Sequence, residues 1–242
     1  MKGVILAGGN GTRLLPLTRS TNKHLLPIYD KPMIYYPIET LKKAGITEIL
    51  VITGTGHAGA IFSLLGSGKE FGVNFTFRVQ EEAGGLPQAI DLAKGFVGED
   101  KFVAINGDNI LFDDIAPFIR EFEKREDERS RILLYKTTTQ EARKAGVAVL
   151  EGDKVTKVIE KPKNPPTNWV AVGVYMYTPH VFEVIKSLKP SGRGELEITD
   201  IHNYYIKMNA LMASKLTKDW LDAGSFDELL RANSIVAKKK GV

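Results

Sequence analysis

The segment Leu6-Ala7-Gly8-Gly9-Asn10-Gly11-Thr12-Arg13 puts three glycines and an arginine directly after a short apolar run. Glycines lack a Cβ, so their backbone N–H groups can approach a phosphate closely, and a guanidinium fork matches phosphate oxygens in pairs. Two familiar phosphate loops do not fit. A P-loop ends in Gly-Lys-Ser/Thr, and the dinucleotide fingerprint needs a glycine where Leu14 stands. A tight turn carrying a surface arginine is the plain alternative. A literal G-x-G-x-x-G occurs at Gly54-Thr55-Gly56-His57-Ala58-Gly59, but the acidic residue expected about 20 positions on falls in the loop at Glu81-Glu82. It reads as an ordinary strand-to-helix turn, which argues against a nicotinamide or flavin site.

Charged groups are the next candidates. Asp108 follows the apolar run Lys101 to Asn106, and Asp222 stands in Trp220-Leu221-Asp222-Ala223-Gly224. Two carboxylates meet the minimum for Mg²⁺, which fills its octahedron with water and substrate phosphates. Both sequences also suit turns or helix caps. Lys23 has no acidic neighbour in sequence, and Lys161 precedes Pro162 at a strand end, aimed into whatever that loop encloses. Gln80, after another strand, offers a donor and an acceptor that can pair with a pyrimidine edge. The four histidines lack metal-ligand spacing and read as loop or packing residues. The mixed charges from Arg120 to Arg131 read as a solvated helix face, and Lys238 to Lys240 as a mobile end.

These groups need a scaffold. Short apolar runs at Val4–Ala7, Glu48–Thr53 and Lys101–Asn106, with an alternating run at Val73–Val79, suit strands of a parallel sheet covered on both faces. Helical patterns fall between them, at 33–44, 58–65 and 86–94. The second half offers a helix at 115–128, a hairpin of 146–150 with 155–160 around Gly152-Asp153, a strand at 170–177, and helices at 179–188 and 225–239. The expected fold class is α/β: a doubly wound, mostly parallel, Rossmann-like sheet with helices on both faces and a small β-rich part. One domain spanning 1–242 is expected, with a nucleotide-binding half (about 1–112) and a substrate-facing half (about 113–242).

The 242 residues include no cysteine, which excludes disulfides, thiolate metal sites and cysteine nucleophiles. With 43% hydrophobic and 26% charged residues the chain is expected to be soluble and cytoplasmic, without a signal peptide or membrane span. A net charge of +4 suits small anionic ligands better than nucleic acid.

Six segments together resemble the sugar-1-phosphate nucleotidylyltransferases: Lys2 to Arg13, Lys23 to Met33, Gly107 to Asn109, Glu160 to Pro162, Gly192 to Asp200 and Trp220 to Gly224. The likeness runs from Lys2 to about Ala237. LLPIYDKPM points to the branch that joins dTTP to glucose 1-phosphate, rather than the guanylyl or adenylyl branches. The resemblance implies Mg²⁺-dependent nucleotidyl transfer, in which a sugar phosphate oxygen attacks the α-phosphorus of dTTP (or, alternatively, UTP) and expels pyrophosphate. It implies that Leu6, Gly8, Gly9, Gly11 and Thr12 hold the nucleotide, with Arg13 and Lys23 on the triphosphate. Gln80 and Gly85 would read the base. Asp108 and Asp222 would hold the metal, with Asp108 also touching substrate. Gly146, Glu160, Lys161, Val172 and Tyr175 would hold the sugar phosphate, with Lys161 catalytic beside Arg13 and Lys23. A homo-oligomer is expected. Val172 replaces a hydroxyl residue of the family, and Asn22-Lys23-His24 replaces its more usual Ser-Lys-Gln. Feedback control is not expected to carry over, since longer members place it in an added helical C-terminal segment. A bifunctional acetyltransferase is not expected either, for want of a hexapeptide-repeat tail.

Overall fold

The structure is a computed structural model that describes residues 1–152, 154–192 and 194–241. Asp153 of the expected Gly152-Asp153 turn and Arg193 of the Gly192–Asp200 segment lie outside the described residues. The first half alternates strands and helices. β1 (Lys2–Ala7) is followed by a small ladder of β2 (Pro27–Ile28) with β3 (Lys31–Pro32), then α1 (Tyr35–Lys43), β4 (Glu48–Gly54), α2 (Ala58–Leu65), β5 (Asn74–Gln80), α3 (Leu86–Asp91), α4 (Lys94–Val97) and β6 (Phe102–Asn106). β1 pairs in parallel with both β4 and β6, and β5 extends the sheet beyond β4.

The second half opens with β7 (Asn109–Leu111), α5 (Ala116–Lys124), β8 (Ser130–Lys136) and α6 (Thr139–Ala142). β9 (Gly146–Glu151), β10 (Lys154–Glu160) and β11 (Trp169–Tyr177) follow. The chain then forms α7 (Val181–Ser187), α8 (Ile198–Lys207), β12 (Leu211–Lys215), β13 (Trp220–Asp222) and α9 (Phe226–Lys239). β11 joins the halves by pairing antiparallel with β6. The result is a mixed nine-stranded sheet, parallel through the first half and largely antiparallel through the second, where the expectation was mostly parallel.

Strand alternation sorts the core. Val4, Leu6, Phe102, Ala104, Tyr175 and Tyr177 pack on one face, under residues of α3, α7 and α8. Ile5, Val103, Ile105, Val172, Val174 and Met176 pack on the other, with α1, α2 and α5. Each fully buried aliphatic side chain of this kind stabilises the fold by roughly 1.5–3 kcal/mol. No helix among the described residues is long and apolar enough to cross a membrane.

Four expectations need correction. The helix expected at 86–94 breaks after Asp91 and resumes at Lys94, and that at 115–128 stops at Lys124 because Arg125 is extended. The charged stretch beyond it is solvated only in part: Glu126, Asp127 and Arg129 are exposed, but Glu128 and Arg131 are buried, with Arg131 Nε donating to Glu128 Oε1 at 2.7 Å and Nη1 to Glu121 Oε2 at 2.7 Å. The supposed mobile end is the last turn of α9, where Lys239 pairs with Asp219 at 3.0 Å and Lys240 with Asp30.

Candidate functional site

β1 and β6 are neighbours, so the loops after their carboxyl ends meet, at the edge where open α/β sheets bind ligands. Past β1 the chain turns at Gly11, whose φ of 63° lies in the left-handed region, and Thr12–Leu14 then form one 3-10 turn carrying Arg13. Thr18 Oγ1 donates to the Gly11 carbonyl at 2.9 Å and fixes this loop from behind. Past β6, Asp108 is buried, and its Oδ2 accepts from Lys23 Nζ at 2.5 Å. Lys23 therefore has an acidic partner after all, 85 residues away in sequence. Burial alone would raise the Asp108 carboxyl, but the Lys23 charge and the hydrogen bonds from Lys23 and Asn109 hold it well below the usual range.

Two clefts open side by side along this edge. The smaller, of about 330 Å³, is walled by Leu6, Gly8, Gly9, Gln80 and Gly85. Gln80 Nε2 donates to Gln88 Oε1 at 2.7 Å, which holds the carboxamide facing Gly8; a Cβ on Gly8 would stand 2.4 Å from Gln80 Oε1. The larger, of about 870 Å³, is walled by Thr12, Gly146, Glu160, Lys161, Tyr175 and Asp222. Lys161 has φ 41°, a left-handed conformation uncommon for a non-glycine residue, and its Nζ lies 3.3 Å from Glu160 Oε1. Arg13, Lys23 and Asp108 border both clefts. Cations and a carboxylate thus stand where ligands in the two clefts would meet.

Asp222 reaches this seam from the far end of the chain. β13 pairs antiparallel with β7 and sets Asp222 opposite Asn109, next to Asp108. The Asp222 carboxyl is pushed up by burial first, then by the negative charges of Asp108 and Glu228. Its Oδ1 is buried and has no hydrogen-bond partner among the described residues. Two converging carboxylates, one with an unpartnered oxygen, form a donor set that fits Mg²⁺ completed by water and phosphate oxygens. No group of three or more acidic or histidine side chains able to cage an ion occurs among the described residues.

With this geometry in view, the comparison with known proteins is direct. The nucleotidyl transferase family model matches residues 2–239. The chain belongs to this family. It is 39% identical to the glucose-1-phosphate thymidylyltransferase of Neisseria meningitidis serogroup A, over 98% of this chain and 82% of that protein. The Mycolicibacterium smegmatis protein of the same name is 41% identical, over the same shares. Among solved structures, one from Bacillus anthracis ascribed to glucose-1-phosphate thymidylyltransferase, in complex with sucrose, superposes with a TM-score of 0.92 at 48% identity, covering 97% of this chain and 94% of that one. A UDP-glucose pyrophosphorylase bound to UDP-glucose superposes with a TM-score of 0.87 at 26% identity, covering 98% of both chains. The chain is therefore an enzyme, a nucleotidyltransferase.

Of the residues expected to form this family's site, Gly11 and Val172 wall neither cleft. Gly11 sits behind the loop against Thr18. Val172 is fully buried with Val174 and Met176 on the opposite face of the sheet, while Ala171, Gly173 and Tyr175 of the same strand face the larger cleft. Its missing hydroxyl therefore removes no side-chain contact in the cleft.

Several residues that sequence reasoning passed over complete the site. Asn109 Oδ1 accepts from Gly173 N–H at 3.0 Å and Trp220 Nε1 at 2.7 Å, and its Nδ2 donates to Asp108 Oδ1 at 3.1 Å, tying three strands together. His24 is buried and its pKa is lowered to about 3, chiefly by burial and then by Lys23, so its imidazole is neutral. Leu86 and Glu195 also stand at the seam. The glycine-rich Gly54–Gly59 is, as expected, a strand-to-helix turn, and it packs against the glycine loop: a Cβ on Gly54 would stand 2.8 Å from the Gly8 carbonyl.

Proposed function

We propose that this enzyme transfers the nucleotidyl group of dTTP to α-D-glucose 1-phosphate, giving dTDP-glucose and pyrophosphate with the help of Mg²⁺. The observation that carries the reading is the seam itself: Arg13, Lys23, Asp108 and Asp222 converge between a cleft with a base-sized carboxamide edge and a cleft rimmed by Glu160 and Lys161. The names of the relatives at 39–41% identity support the choice of dTTP and glucose 1-phosphate.

Gln80, held by Gln88, faces the base, and Leu6 and the glycine loop support the nucleoside. Arg13 and Lys23 neutralise the triphosphate, and Lys161, beside Glu160, meets the sugar phosphate. One phosphate oxygen of the sugar forms a bond to the α-phosphorus, and the bond from α-phosphorus to the bridging oxygen breaks, so that pyrophosphate carries away the electron pair. The nucleophile is already anionic, and no proton has to move. The chain's task is to hold two like-charged reactants in line and to stabilise charge as it shifts to the leaving group. Mg²⁺ held by Asp108 and Asp222 would add a further positive charge for the phosphate oxygens.

The same reading has the enzyme working in the cytoplasm on freely diffusing substrates, as a homo-oligomer, at the first step toward dTDP-rhamnose and related sugars. A UTP-using enzyme is the second reading. It is favoured by the likeness to UDP-glucose pyrophosphorylase, and a glutamine pairs equally with thymine and uracil. Pyrophosphate release with Mg²⁺, glucose 1-phosphate and either dTTP or UTP tests the choice. Faster turnover with dTTP is expected, and equal or faster turnover with UTP would overturn the thymidylyl assignment.

A further inference from the structure

We propose that Asn106 is a specificity-determining residue whose side-chain carbonyl reads the hydrogen-bond donor on C-2 of the sugar 1-phosphate. The inference rests on the nucleotidyl-transfer reading above and deepens it. Asn106 is the last residue of β6, opposite Leu6 in the parallel register, on the face that carries Ala104 and Tyr175. An amide here ends a stretch that is otherwise apolar, Phe102-Val103-Ala104-Ile105. The fold accommodates it closely. A Cβ on Gly173 would stand 2.4 Å from Asn106 Nδ2 and 2.7 Å from its Cγ, so the amide fits only beside a glycine.

The other end of the amide is unsatisfied: Asn106 Oδ1 is buried and has no hydrogen-bond partner among the described residues, while the residue as a whole is only partly buried at the clefts, so a turn of the amide is what presents the carbonyl to a ligand. Native proteins rarely leave such an acceptor alone, and a ligand that brings a donor is one way to satisfy it. The position of Asn106 narrows the donor. It belongs to both clefts, with Arg13, Lys23 and Asp108, where the sugar phosphate must meet the α-phosphorus. In a hexose 1-phosphate the phosphate sits on C-1, so the ring atoms nearest this seam are C-2 and the ring oxygen. C-2 alone of these carries a donor, a hydroxyl or the N–H of an acylamino group. Asn106 therefore selects sugars with a donor at C-2 over 2-deoxy sugars.

The test compares kcat/KM for glucose 1-phosphate and 2-deoxyglucose 1-phosphate, in the wild-type enzyme and in Asn106→Leu, with 3-, 4- and 6-deoxy analogues as controls. Removing the 2-hydroxyl is expected to lower wild-type kcat/KM by roughly 10- to 100-fold, because the carbonyl is left unpaired. Asn106→Leu should lose a similar factor with glucose 1-phosphate and nothing further with the 2-deoxy sugar, while losses at the other positions multiply. KM for dTTP should move less than about twofold, in line with a contact made to the sugar. The substrate-side deletion needs no variant, and a thermal melt shows whether Asn106→Leu is folded. A wild-type enzyme indifferent to the 2-hydroxyl overturns the assignment while leaving the reaction intact. So do multiplicative losses at C-2, or an effect falling on dTTP. A wild-type enzyme that turns over no hexose 1-phosphate overturns the reaction, and this role with it.

Discussion

Gly224→Ala is a small substitution with a large expected effect. A Cβ at this position would stand 2.5 Å from Arg13 Nη2, 3.2 Å from Arg13 Cζ and 2.9 Å from Asp222 Oδ1. Ordinary contact begins near 3.4 Å, so the guanidinium would have to withdraw by about 1 Å. Arg13 is exposed and has room to move, so folding should change by about 1 kcal/mol or less. Catalysis is less forgiving, since a misplacement of about 1 Å can lower the rate on the order of 10²-fold. Pyrophosphate release should show kcat down by about that factor, with a urea midpoint close to wild type. In the Arg13→Ala/Gly224→Ala double variant the losses should be less than multiplicative, because part of the Gly224→Ala effect acts through Arg13 and only the remainder through Asp222. Wild-type kcat in Gly224→Ala, or losses that multiply in the double variant, would refute the reasoning.

Three further outcomes can be checked. Asp222→Asn keeps the shape and removes the charge, and turnover under saturating Mg²⁺ should fall on the order of 10³-fold; unchanged turnover would mean that Asp222 holds no metal. Arg131→Leu leaves the buried Glu128 carboxylate with only Arg125, at 3.7 Å, and should destabilise the fold by about 3–5 kcal/mol in urea titrations, whereas a shift under 1 kcal/mol would show that Arg125 suffices to pair it. His202 is fully buried with its pKa lowered from 6.5 to about 3, so between these values protons bind the unfolded chain and not the folded one. Stability is therefore lost as pH falls below about 6.5, reaching about 2 kcal/mol from this residue at pH 5, and the slope should flatten in His202→Phe.

The parallel half of the sheet was legible because its strands carry unbroken apolar runs and its helices are punctuated by glycine, as at Gly66 after α2. β8 and β12 were not. Ser130–Lys136 abuts a charged stretch that continues the helical pattern of α5, and Leu211–Lys215 is short and half polar. α8 was hidden by its isoleucines and tyrosines, which favour strands over helices. In the site, motif spacing located Arg13, Gln80, Asp108 and Asp222, but not the Lys23–Asp108 contact or the Asn109 hub, which exist only through strand pairing. One signal was available and unused. Residues 172 and 175 are an odd number apart on one strand, and an odd spacing puts side chains on opposite faces.

The β7–β13 ribbon joins residues about 111 positions apart, so the two aspartates cannot be neighbours until almost all of the sequence has been laid down. A chain emerging from the ribosome has already laid down the glycine loop and Gln80 when Trp220 to Asp222 are still to come. Such a nascent chain could capture a nucleotide but could not consume it. Docking of one short late strand thus makes turnover a report on complete folding, and a recovering enzyme should regain nucleotide binding before it regains rate.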